Sequence, residues 1–374
     1  RGSHMLAAKI AENVSGTKLF IPPDEDGRDS RDRQTLSRVF IGLGTNPNVG
    51  AVLVVCNKKN AGYDELRPEF IASEIAKSGK RVEILDVEEC HGLYKALGEG
   101  IRMARNMVQE ISELQRTEVD FGKLTVGIKC GLSDATSGIS GNPVVGYMVD
   151  YLIDRGGTAF FSETTEVIGA EDILAKRCKD EQVRKAFLDA VYRTEEEAKA
   201  TGEDIRTINP IPANIEAGIS TLEEKSLGAM AKTGHRQISG VINYAERPKE
   251  AGLYFMDSWM SSTSLFLGYA AAGANLVIFQ MGGGALPPDP PMPAVATGVV
   301  APVFYTTGNP RTYSRGRDEI DFNAGTVIQK KETIAQAGQR LIEEICKIAQ
   351  GKMTKMETWA YQDLVEVFLT GPKL

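Results

Sequence analysis

The chain has 374 residues, 42% hydrophobic and 25% charged, which is ordinary for a globular enzyme and long enough for two domains. Its net charge of −7, without any basic block, argues against nucleic acid or an anionic membrane as a partner. No apolar run reaches the ~18 residues of a transmembrane helix, and no signal peptide is visible. The five cysteines lack CxxC spacing, so we expect a cytoplasmic protein in a reducing compartment.

The first part of the chain alternates predicted helices with predicted strands. Helices are predicted over residues 6–14, 35–42, 67–78 and 91–114, and strands over 18–21, 51–56 and 81–87. The strand AVLVVC at 51–56 is apolar without alternation, which is typical of a central parallel strand buried on both faces. Strands that alternate with helices indicate a doubly wound parallel sheet.

The central stretch, residues 129–171, is the richest in reactive side chains. A buried strand leads into the turn CGLSDATSG at 130–138, and a helix follows. That helix has apolar residues at i, i+3, i+4 and i+7, namely Val145, Met148, Val149 and Leu152. A strand at 158–161 then ends in the polar cluster SETTE at 162–166. Ligands bind at the carboxyl ends of strands in open α/β sheets, so we expect both polar segments to contribute to a site.

The second part of the chain repeats the alternation. A charged helix is predicted over 175–206, with Val183, Phe187 and Val191 on its inward face. It is followed by predicted helices at 218–228 and 331–349 and by predicted strands at 252–258, 275–280 and 303–307. The last helix presents an apolar face of Ile334, Ala337, Leu341, Ile345 and Ile348.

The predicted fold class is α/β, with two doubly wound, mainly parallel-sheet units packed around an interdomain cleft. The predicted domains are an N-terminal unit at 6–178, a linking helix at 179–206 and a C-terminal unit at 207–374. Several apolar helices need partners, so a homo-oligomer is also expected.

The scarcity of histidine narrows the candidate catalytic chemistry. His4 lies in a tag-like RGSHM run, and His91 and His235 are far in sequence from the polar segments. Carboxylates, lysines, cysteine or a partner chain must therefore supply acid–base or metal chemistry. The predicted catalytic residues are Asp134, Glu163, Lys225 and Asp257.

A metal site is one interpretation of the two polar segments, with Cys130, Asp134, Glu163 and Glu166 as predicted ligands. Glu163 and Glu166 are three residues apart after a strand, so they could ligate one cation or divide the roles of acid and base. Cys130 is either a soft-metal ligand or a small buried residue. Lys225 is either a base that partners a carboxylate or a surface lysine.

Hydroxyl and amide side chains are predicted to hold the substrate. These residues are Ser133, Thr136, Ser137, Asn142, Thr164, Thr165 and Asn214. The motif N-P-x-V-G at Asn142 also occurs at Asn46, and Asn309–Pro310 resembles it. Asparagine capping a helix before proline explains the motif, and an anion held by the capped helix end is the alternative. Thr221 and Glu224 likewise fit a capping box, which gives Glu224 a purely structural role.

Four runs of the chain resemble the altronate/galactarate dehydratase family. They are GLGTNPNVGAVLVV at 42–55, the segment 119–178 that contains KCGLSDATSGISGNPVVGYMVDYLIDRGGTAFFSETTEVIGAE, NIEAGISTLEEKSLG at 214–228 and GLYFMDS at 252–258. That family includes the large, beta subunit of (2R)-sulfolactate sulfo-lyase. The resemblance implies a lyase that eliminates water from a sugar acid, or sulfite from sulfolactate, to give an enol that becomes a 2-keto acid.

The resemblance also implies a cofactor and a partner. Iron(II) or manganese(II) is the expected metal, and a small SAF-type domain, either fused or a separate subunit, is expected to accompany this large part. The small-molecule substrate is a hydroxy acid. Elimination requires removing a weakly acidic proton next to a carboxylate, so the site must stabilise an ene-diolate and supply a base.

Three functional interpretations stay open. The first is the lyase. The second is a non-catalytic or regulatory paralogue that binds a small acid or assembles with an active subunit. The third is another enzyme of small molecules, such as a dinucleotide-dependent one. The lack of GxGxxG after any strand disfavours the third. We expect the loops at 130–138 and 163–166 to face those at 214–226 and 257–262.

Overall fold

A computed structural model describes residues 2–22, 27–59, 62–283, 298–358 and 365–371. Within these ranges the strands form a parallel sheet of two strands and a parallel sheet of seven, so the predicted α/β class is confirmed. The strands are β1 (Ala51–Cys56), β2 (Arg81–Asp86), β3 (Thr125–Gly131), β4 (Thr158–Phe161), β5 (Ile238–Ile242), β6 (Gly252–Met256), β7 (Leu276–Met281), β8 (Val303–Thr307) and β9 (Phe322–Asn323).

The helices precede, separate and follow these strands along the chain. They are α1 (Gly2–Asn13), α2 (Ser30–Thr45), α3 (Pro68–Ala76), α4 (Leu93–Ile111), α5 (Asn142–Asp154), α6 (Glu171–Ala175), α7 (Glu181–Ala200), α8 (Ile205–Ile208), α9 (Pro212–Glu216), α10 (Leu222–Met230), α11 (Ser262–Ala271), α12 (Pro310–Arg315), α13 (Ile334–Ala349) and α14 (Lys355–Thr358). A π-helical turn at Ser137–Gly141 precedes α5. None of the described helices is both long enough and apolar enough to cross a membrane.

The two-stranded sheet belongs to a small N-terminal unit. Strands β1 and β2 run parallel, from the pair Ala51 and Arg81 to the pair Cys56 and Asp86. Helices α1 and α4 cover the sheet with a core that includes Leu6, Ile10, Leu85 and Ala96. Residues 51–55 are only partly buried, so the prediction of a strand buried on both faces is wrong there. This sheet has only two strands among the described residues, and the helices packed on it leave β1 partly exposed.

The seven-stranded sheet has the order β5-β6-β4-β3-β7-β8-β9, with all neighbours parallel. Strand β3 is the centre, with β4 on one side and β7 on the other. Cys130 pairs in register with Gln280, which in turn pairs with Thr306. The carboxyl ends of three adjacent strands therefore place these polar side chains in a row.

Helices cover both faces of this sheet, as expected for a doubly wound fold. One face packs against α5, α7 and α13, and the predicted inward residues of α5 are fully buried there. The other face packs against α2 and α11 through residues such as Leu36, Phe266 and Tyr269. Consecutive residues of β7 confirm the alternation, because Ile278 contributes to the first core and Phe279 to the second.

The predicted domain division differs from the arrangement of the large sheet. Strands β3 and β4 fall in the predicted domain 6–178, whereas β5 to β9 fall in 207–374, yet all seven form one sheet. Helix α7 buries Val183, Phe187 and Val191 in the core of this sheet, so it does more than link two halves. The difference arises because pairing between distant strands leaves no local periodic signal.

Local elements also depart from the prediction in places. Residues 18–21 form no strand, and β5 was not predicted. Helix α7 begins only at Glu181, because Asp180 caps it by accepting a hydrogen bond from the Val183 amide. Ile334, predicted to face inward, is 38% exposed at the start of α13.

A cleft of about 1940 Å³ lies between the N-terminal unit and the amino ends of β7 and β8. Its lining includes Val55, Phe121, Leu276 and Val303. None of the predicted site residues lines this cleft, because they lie at the opposite, carboxyl end of the strands. The polar segments were predicted to lie at a cleft between domains, but they do not line this cleft.

Candidate active site

The site is built where β3 and β4 end side by side. Leu132, directly after β3, and Glu163, two residues after β4, have positive φ angles of 51° and 74°. Such angles are unfavourable for residues with a Cβ and occur where the surroundings enforce them. The bend turns the Glu163 carboxylate back toward β3, where its Oε2 accepts a hydrogen bond from the Cys130 amide at 3.3 Å.

Six residues form what we call the charged cluster: Lys129, Cys130, Glu163, Glu166, Lys225 and Lys232. Their exposed fractions lie between 0% and 8%. Lys129 Nζ donates to Glu163 Oε1 at 2.6 Å, and Lys232 Nζ donates to Glu163 Oε2 at 2.5 Å. Buried charges are tolerated when they are paired, and here each carboxylate contacts two ammonium groups.

Glu166 occupies the other half of the charged cluster. Its Oε1 lies 3.4 Å from Lys225 Nζ, and its Oε2 lies 3.7 Å from Lys232 Nζ. The Cys130 thiol donates to the same Oε2 at 3.3 Å. Lys225 Nζ also donates to Asn209 Oδ1 at 2.6 Å, so the alternative that Lys225 is a surface lysine is wrong.

Protonation in the charged cluster follows from burial and from the neighbouring charges. Burial raises the pKa of the Cys130 thiol to about 12, and the Glu166 carboxylate adds to that rise. Burial alone also raises the pKa of Glu166, but the ammonium groups of Lys225, Lys232 and Lys129 outweigh it and lower the value to about 2. Near neutral pH the cluster therefore contains a neutral thiol and an ionised Glu166.

Lys232 keeps its charge for the complementary reason. Burial alone lowers the pKa of Lys232, but the Cys130 sulfur and the carboxylates of Glu163 and Glu166 raise it well above its ordinary value. Three ammonium groups face two carboxylates, which leaves the charged cluster with a formal excess of one positive charge. Such a cluster favours an anionic ligand.

Asp134 lies in a second group, separate from the charged cluster. Its Oδ1 accepts hydrogen bonds from Thr136 Oγ1 at 2.5 Å and from the Ser137 amide at 3.1 Å. Its Oδ2 accepts from Asn309 Nδ2 at 2.8 Å. The predicted neighbours Thr136 and Ser137 thus hold Asp134 in place, and they do so at the start of the π-helical turn.

Ser133 and Asn214 connect the turn after β3 to α9. Asn214 Nδ2 donates to the Ser133 carbonyl at 2.8 Å, and Ser133 Oγ lies 3.9 Å from Cys130 Sγ. The expected proximity of the loops 130–138 and 214–226 is therefore present in the structure.

Thr164 and Asp257 lie at the edge of the site. Thr164 Oγ1 is 3.3 Å from Asp257 Oδ1, which places the loop after β6 beside the loop after β4. The Asp257 carboxylate is bound by Arg193 at 2.8 and 2.7 Å. Asp257 is therefore an ion-pair partner outside the charged cluster.

Several buried polar atoms around the site have no hydrogen-bond partner among the described residues. Two of them belong to predicted substrate-binding residues, Asn142 Oδ1 and Thr165 Oγ1. Both amide atoms of Gln280 and the hydroxyl of Thr306 share this property. Buried polar groups are normally paired, so these atoms are available to a bound polar molecule.

The capping interpretations have different outcomes. Asn142 does not cap α5, since its Nδ2 donates a hydrogen bond to the Gly228 carbonyl at 2.8 Å. Asn46 Nδ2 donates to the carbonyls of Ala270 and Ala274. Asn309, by contrast, caps α12. Thr221 caps α10, although Glu224 binds the Ser220 amide and not that of Thr221.

Sequence reasoning missed Lys129, Lys232, Gln280, Thr306 and Asn309. Lys129 carried a signal, because it is a charged residue at the end of an apolar strand. Lys232 carried none, since it lies in a short turn between α10 and β5 and reaches Glu163 only through the fold.

The donor atoms of Cys130, Glu163 and Glu166 lie within 4.8 Å of one another, so three of the four predicted metal ligands form a buried group. Asp134 is not part of that group. Each of the three residues, however, contacts the Lys232 ammonium group. Metal ligands must be free and deprotonated, so the residues as arranged do not fit a divalent cation.

Family models account for most of the chain. Residues 121–370 match the model described as D-galactarate/altronate dehydratase, C-terminal. Residues 3–112 match the one described as D-galactarate dehydratase/altronate hydrolase, second domain. The gap between the matches at 113–120 falls between the N-terminal unit and β3 of the large sheet.

Individual relatives agree with these matches. The beta subunit of (2R)-sulfolactate sulfo-lyase from Chromohalobacter salexigens is 33% identical over 97% of this chain and 90% of that protein. Altronate dehydratase from Escherichia coli is 31% identical over 97% of this chain and 70% of that protein. Galactarate dehydratase (L-threo-forming) from Escherichia coli is 30% identical over 90% of this chain, which spans 63% of that relative.

Proposed function

The chain belongs to the D-galactarate/altronate dehydratase family, and from this premise we propose that it is a lyase acting on a hydroxy acid. The preferred reaction is loss of water from a sugar acid to give a 2-keto acid. The single observation that carries the proposal is the charged cluster, where three buried lysines exceed two buried glutamates at the carboxyl edge of the sheet.

The excess positive charge suits both the substrate and the reaction. The substrate carboxylate is attracted to the cluster, and removal of the neighbouring proton places further negative charge on its oxygens. Fixed ammonium groups in a buried site stabilise such an ene-diolate strongly, because they need no reorganisation when the charge develops. Lys129 and Lys232 take this role, since the Glu163 carboxylate holds both of them in position.

We assign proton removal to Lys225. Its ion pair with Glu166 is 3.4 Å long, against 2.6 Å for Lys129 and 2.5 Å for Lys232 with Glu163. In this step Lys225 acts as a neutral amine: it takes the proton next to the carboxylate, becomes the third ammonium group as the ene-diolate forms, and then gives the proton to the departing hydroxyl, which leaves as water. Glu166 is a poor base because its pKa is lowered to about 2, so it serves to orient the lysines.

Asp134 and Asp257, predicted to be catalytic, are proposed here as positioning residues. Asp134 is bound by Thr136, Ser137 and Asn309, and Asp257 is bound by Arg193. The unpaired polar atoms of Asn142, Thr165, Gln280 and Thr306 are proposed to bind the hydroxyl groups of the substrate. The arrangement thus favours a polyhydroxylated acid.

The predicted iron(II) or manganese(II) would act as a Lewis acid on the ene-diolate if it were bound. It would have to displace Lys232 from Cys130, Glu163 and Glu166 first. The reaction proposed here therefore uses only side chains of the chain.

Release of sulfite from a sulfonated hydroxy acid is the second candidate. It is favoured by one observation, the match to the sulfolactate sulfo-lyase beta subunit over 90% of that relative. The same positive cluster would hold the carboxylate while sulfite left as an anion. We further propose that this chain works with a small SAF-type subunit and as a homo-oligomer; the name of the relative as a beta subunit supports a partner subunit. All five cysteines are free thiols, in keeping with the predicted cytoplasmic location.

Product analysis distinguishes the two candidates. The purified chain is incubated anaerobically with altronate, galactarate or sulfolactate, with and without iron(II) or manganese(II), and with and without the small subunit of a relative. We expect 2-keto acid from a sugar acid without sulfite. Keto acid together with sulfite from sulfolactate establishes the second candidate. No keto acid from any substrate under any of these conditions contradicts the lyase and favours a paralogue that only binds acids.

A further inference from the structure

We propose that Lys232 is a resident cation that fills the group of Cys130, Glu163 and Glu166, so that this group takes no divalent metal while Lys232 is present. The proposal concerns the occupant of the group and does not depend on the reaction catalysed. Three donor side chains within 4.8 Å of one another ordinarily indicate a metal site. Here the positive charge comes from the chain itself.

The position of the ammonium group carries the proposal. Lys232 Nζ lies 3.4 Å from Cys130 Sγ, 2.5 Å from Glu163 Oε2 and 3.7 Å from Glu166 Oε2. It thus contacts all three residues of the donor group, as a shared metal ion would. Lys232 is 3% exposed, so water does not screen these contacts.

The remaining carboxylate oxygens are also engaged. Glu163 Oε1 accepts a hydrogen bond from Lys129 at 2.6 Å, and Glu166 Oε1 lies 3.4 Å from Lys225. Every oxygen of the two carboxylates therefore has an ammonium group within 3.7 Å. A divalent cation added to this cluster would meet three positive charges and only two negative ones.

The backbone keeps Lys232 in this place. Its turn, Ala231–Thr233, packs against α5 so closely that a Cβ on Gly146 would lie 2.1 Å from the Ala231 carbonyl oxygen. Arg177 donates to Thr233 Oγ1 at 2.7 Å and to the Thr233 carbonyl at 3.0 Å. The backbone at Lys232 is therefore held in place, which keeps the ammonium group beside the three donor residues.

The test is a cobalt(II) titration of the full chain under anaerobic conditions. Cobalt(II) reports on this group because a bound thiolate gives a near-ultraviolet charge-transfer band, which does not depend on catalytic activity. We expect no such band from the wild-type protein. Lys232→Met, which keeps most of the aliphatic stem, should give the band and bind cobalt(II) at least ~10-fold tighter, the scale on which neighbouring groups change metal affinity.

Three further variants sharpen the titration. Lys232→Met combined with Cys130→Ser should lose the band, which assigns it to the Cys130 thiolate. Lys225→Met removes one ammonium group without vacating the shared position, since Lys225 contacts only Glu166 Oε1 of the two carboxylates. It should therefore stay without the band. If circular dichroism shows that Lys232→Met does not fold, Lys232→Gln takes its place. Glutamine also removes the positive charge but keeps a polar side chain at this position.

Two results overturn the proposal. A thiolate band in the wild-type protein that Cys130→Ser abolishes shows that a metal ion displaces Lys232. Folded Lys232 variants that bind cobalt(II) no better than the wild type show that the three donors are not a masked metal site. Neither result is read from keto acid formation, so failure here is distinguishable from failure of the proposed lyase.

Discussion

At the scale of single residues, some members of the charged cluster can be predicted from sequence patterns and others cannot. Glu163 and Glu166 were predicted because polar residues directly after a buried strand lie at the sheet edge where ligands bind. Lys225 was found in a run that resembles the family. Lys232 could not be found, because its partner Glu163 is distant in sequence and no local pattern links the two.

Glu166 should make the stability of the protein sensitive to acid. Its pKa of about 2 in the folded state lies below the ordinary value of 4.5. The ionised group therefore stabilises the fold above pH 4.5, and its contribution is lost as the pH falls through about 2. The variant Glu166→Gln has no carboxyl group to titrate at this position.

Urea unfolding of the wild type and of Glu166→Gln, at about pH 6 and about pH 3, measures this difference. We expect the free energy of unfolding of the wild type to exceed that of the variant at the higher pH, and the gap to narrow in acid. Glu12→Gln, a change in an exposed ion pair with Lys9, should show little gap at either pH. A gap for Glu166→Gln that stays constant with pH contradicts the assignment.

At the scale of elements, regular periodicity was a reliable guide. Helix α5 was predicted from four apolar residues at helical spacing, and all four are fully buried. Strand β5 was missed because Ser239 and Gly240 interrupt its apolar residues. The π-helical turn before α5 was also not predicted, since it depends on how Asp134 and Ser140 bond to distant parts of the chain.

The contact between α5 and the Lys232 turn gives a prediction at this scale. A Cβ at Gly146 would lie 2.1 Å from the Ala231 carbonyl oxygen, a backbone atom that cannot rotate away. We expect Gly146→Ala to destabilise the protein by about 1–3 kcal/mol, as overpacked substitutions do, and to reduce turnover by displacing Lys232.

Gly98→Ala is the matched control for this substitution. Gly98 also lies in a helix, α4, but an added Cβ there meets nothing within 4 Å. Replacing it should stabilise the protein by about 0.4–1 kcal/mol, because alanine narrows the unfolded ensemble. The midpoint of thermal unfolding and the turnover rate are measured for both variants and compared. Gly146→Ala that unfolds and reacts like Gly98→Ala would show that the close packing does not position Lys232.

At the scale of the whole molecule, the class of fold and the family could be predicted, whereas the order of the strands could not. The sheet joins β3 to β7 through the pair Cys130 and Gln280, and the Asp134 group is closed by Asn309. Pairings over such separations depend on the assembled core and leave no local signal. For that reason the boundary predicted between 178 and 207 falls within a single seven-stranded sheet.

The same assembly creates the site. Residues from the ends of β3 and β4, from α10 and from the turn after it meet only when the large sheet is complete. The charged cluster is therefore a property of the fold as a whole, and its net positive charge is the feature on which the lyase proposal depends.

The most direct test of that proposal is the rate of 2-keto acid formation by Glu163→Gln, measured beside the wild type on the substrate that the product analysis identifies. Glu163 is 0% exposed and holds two lysines, so its loss also costs about 3–5 kcal/mol of stability. Turnover is therefore measured where circular dichroism shows the variant to be folded, with Glu12→Gln as the control. The account predicts a fall of at least ~100-fold, as expected when fixed charges at a reacting oxyanion are misplaced. A folded Glu163→Gln protein that turns over as fast as the wild type would contradict it.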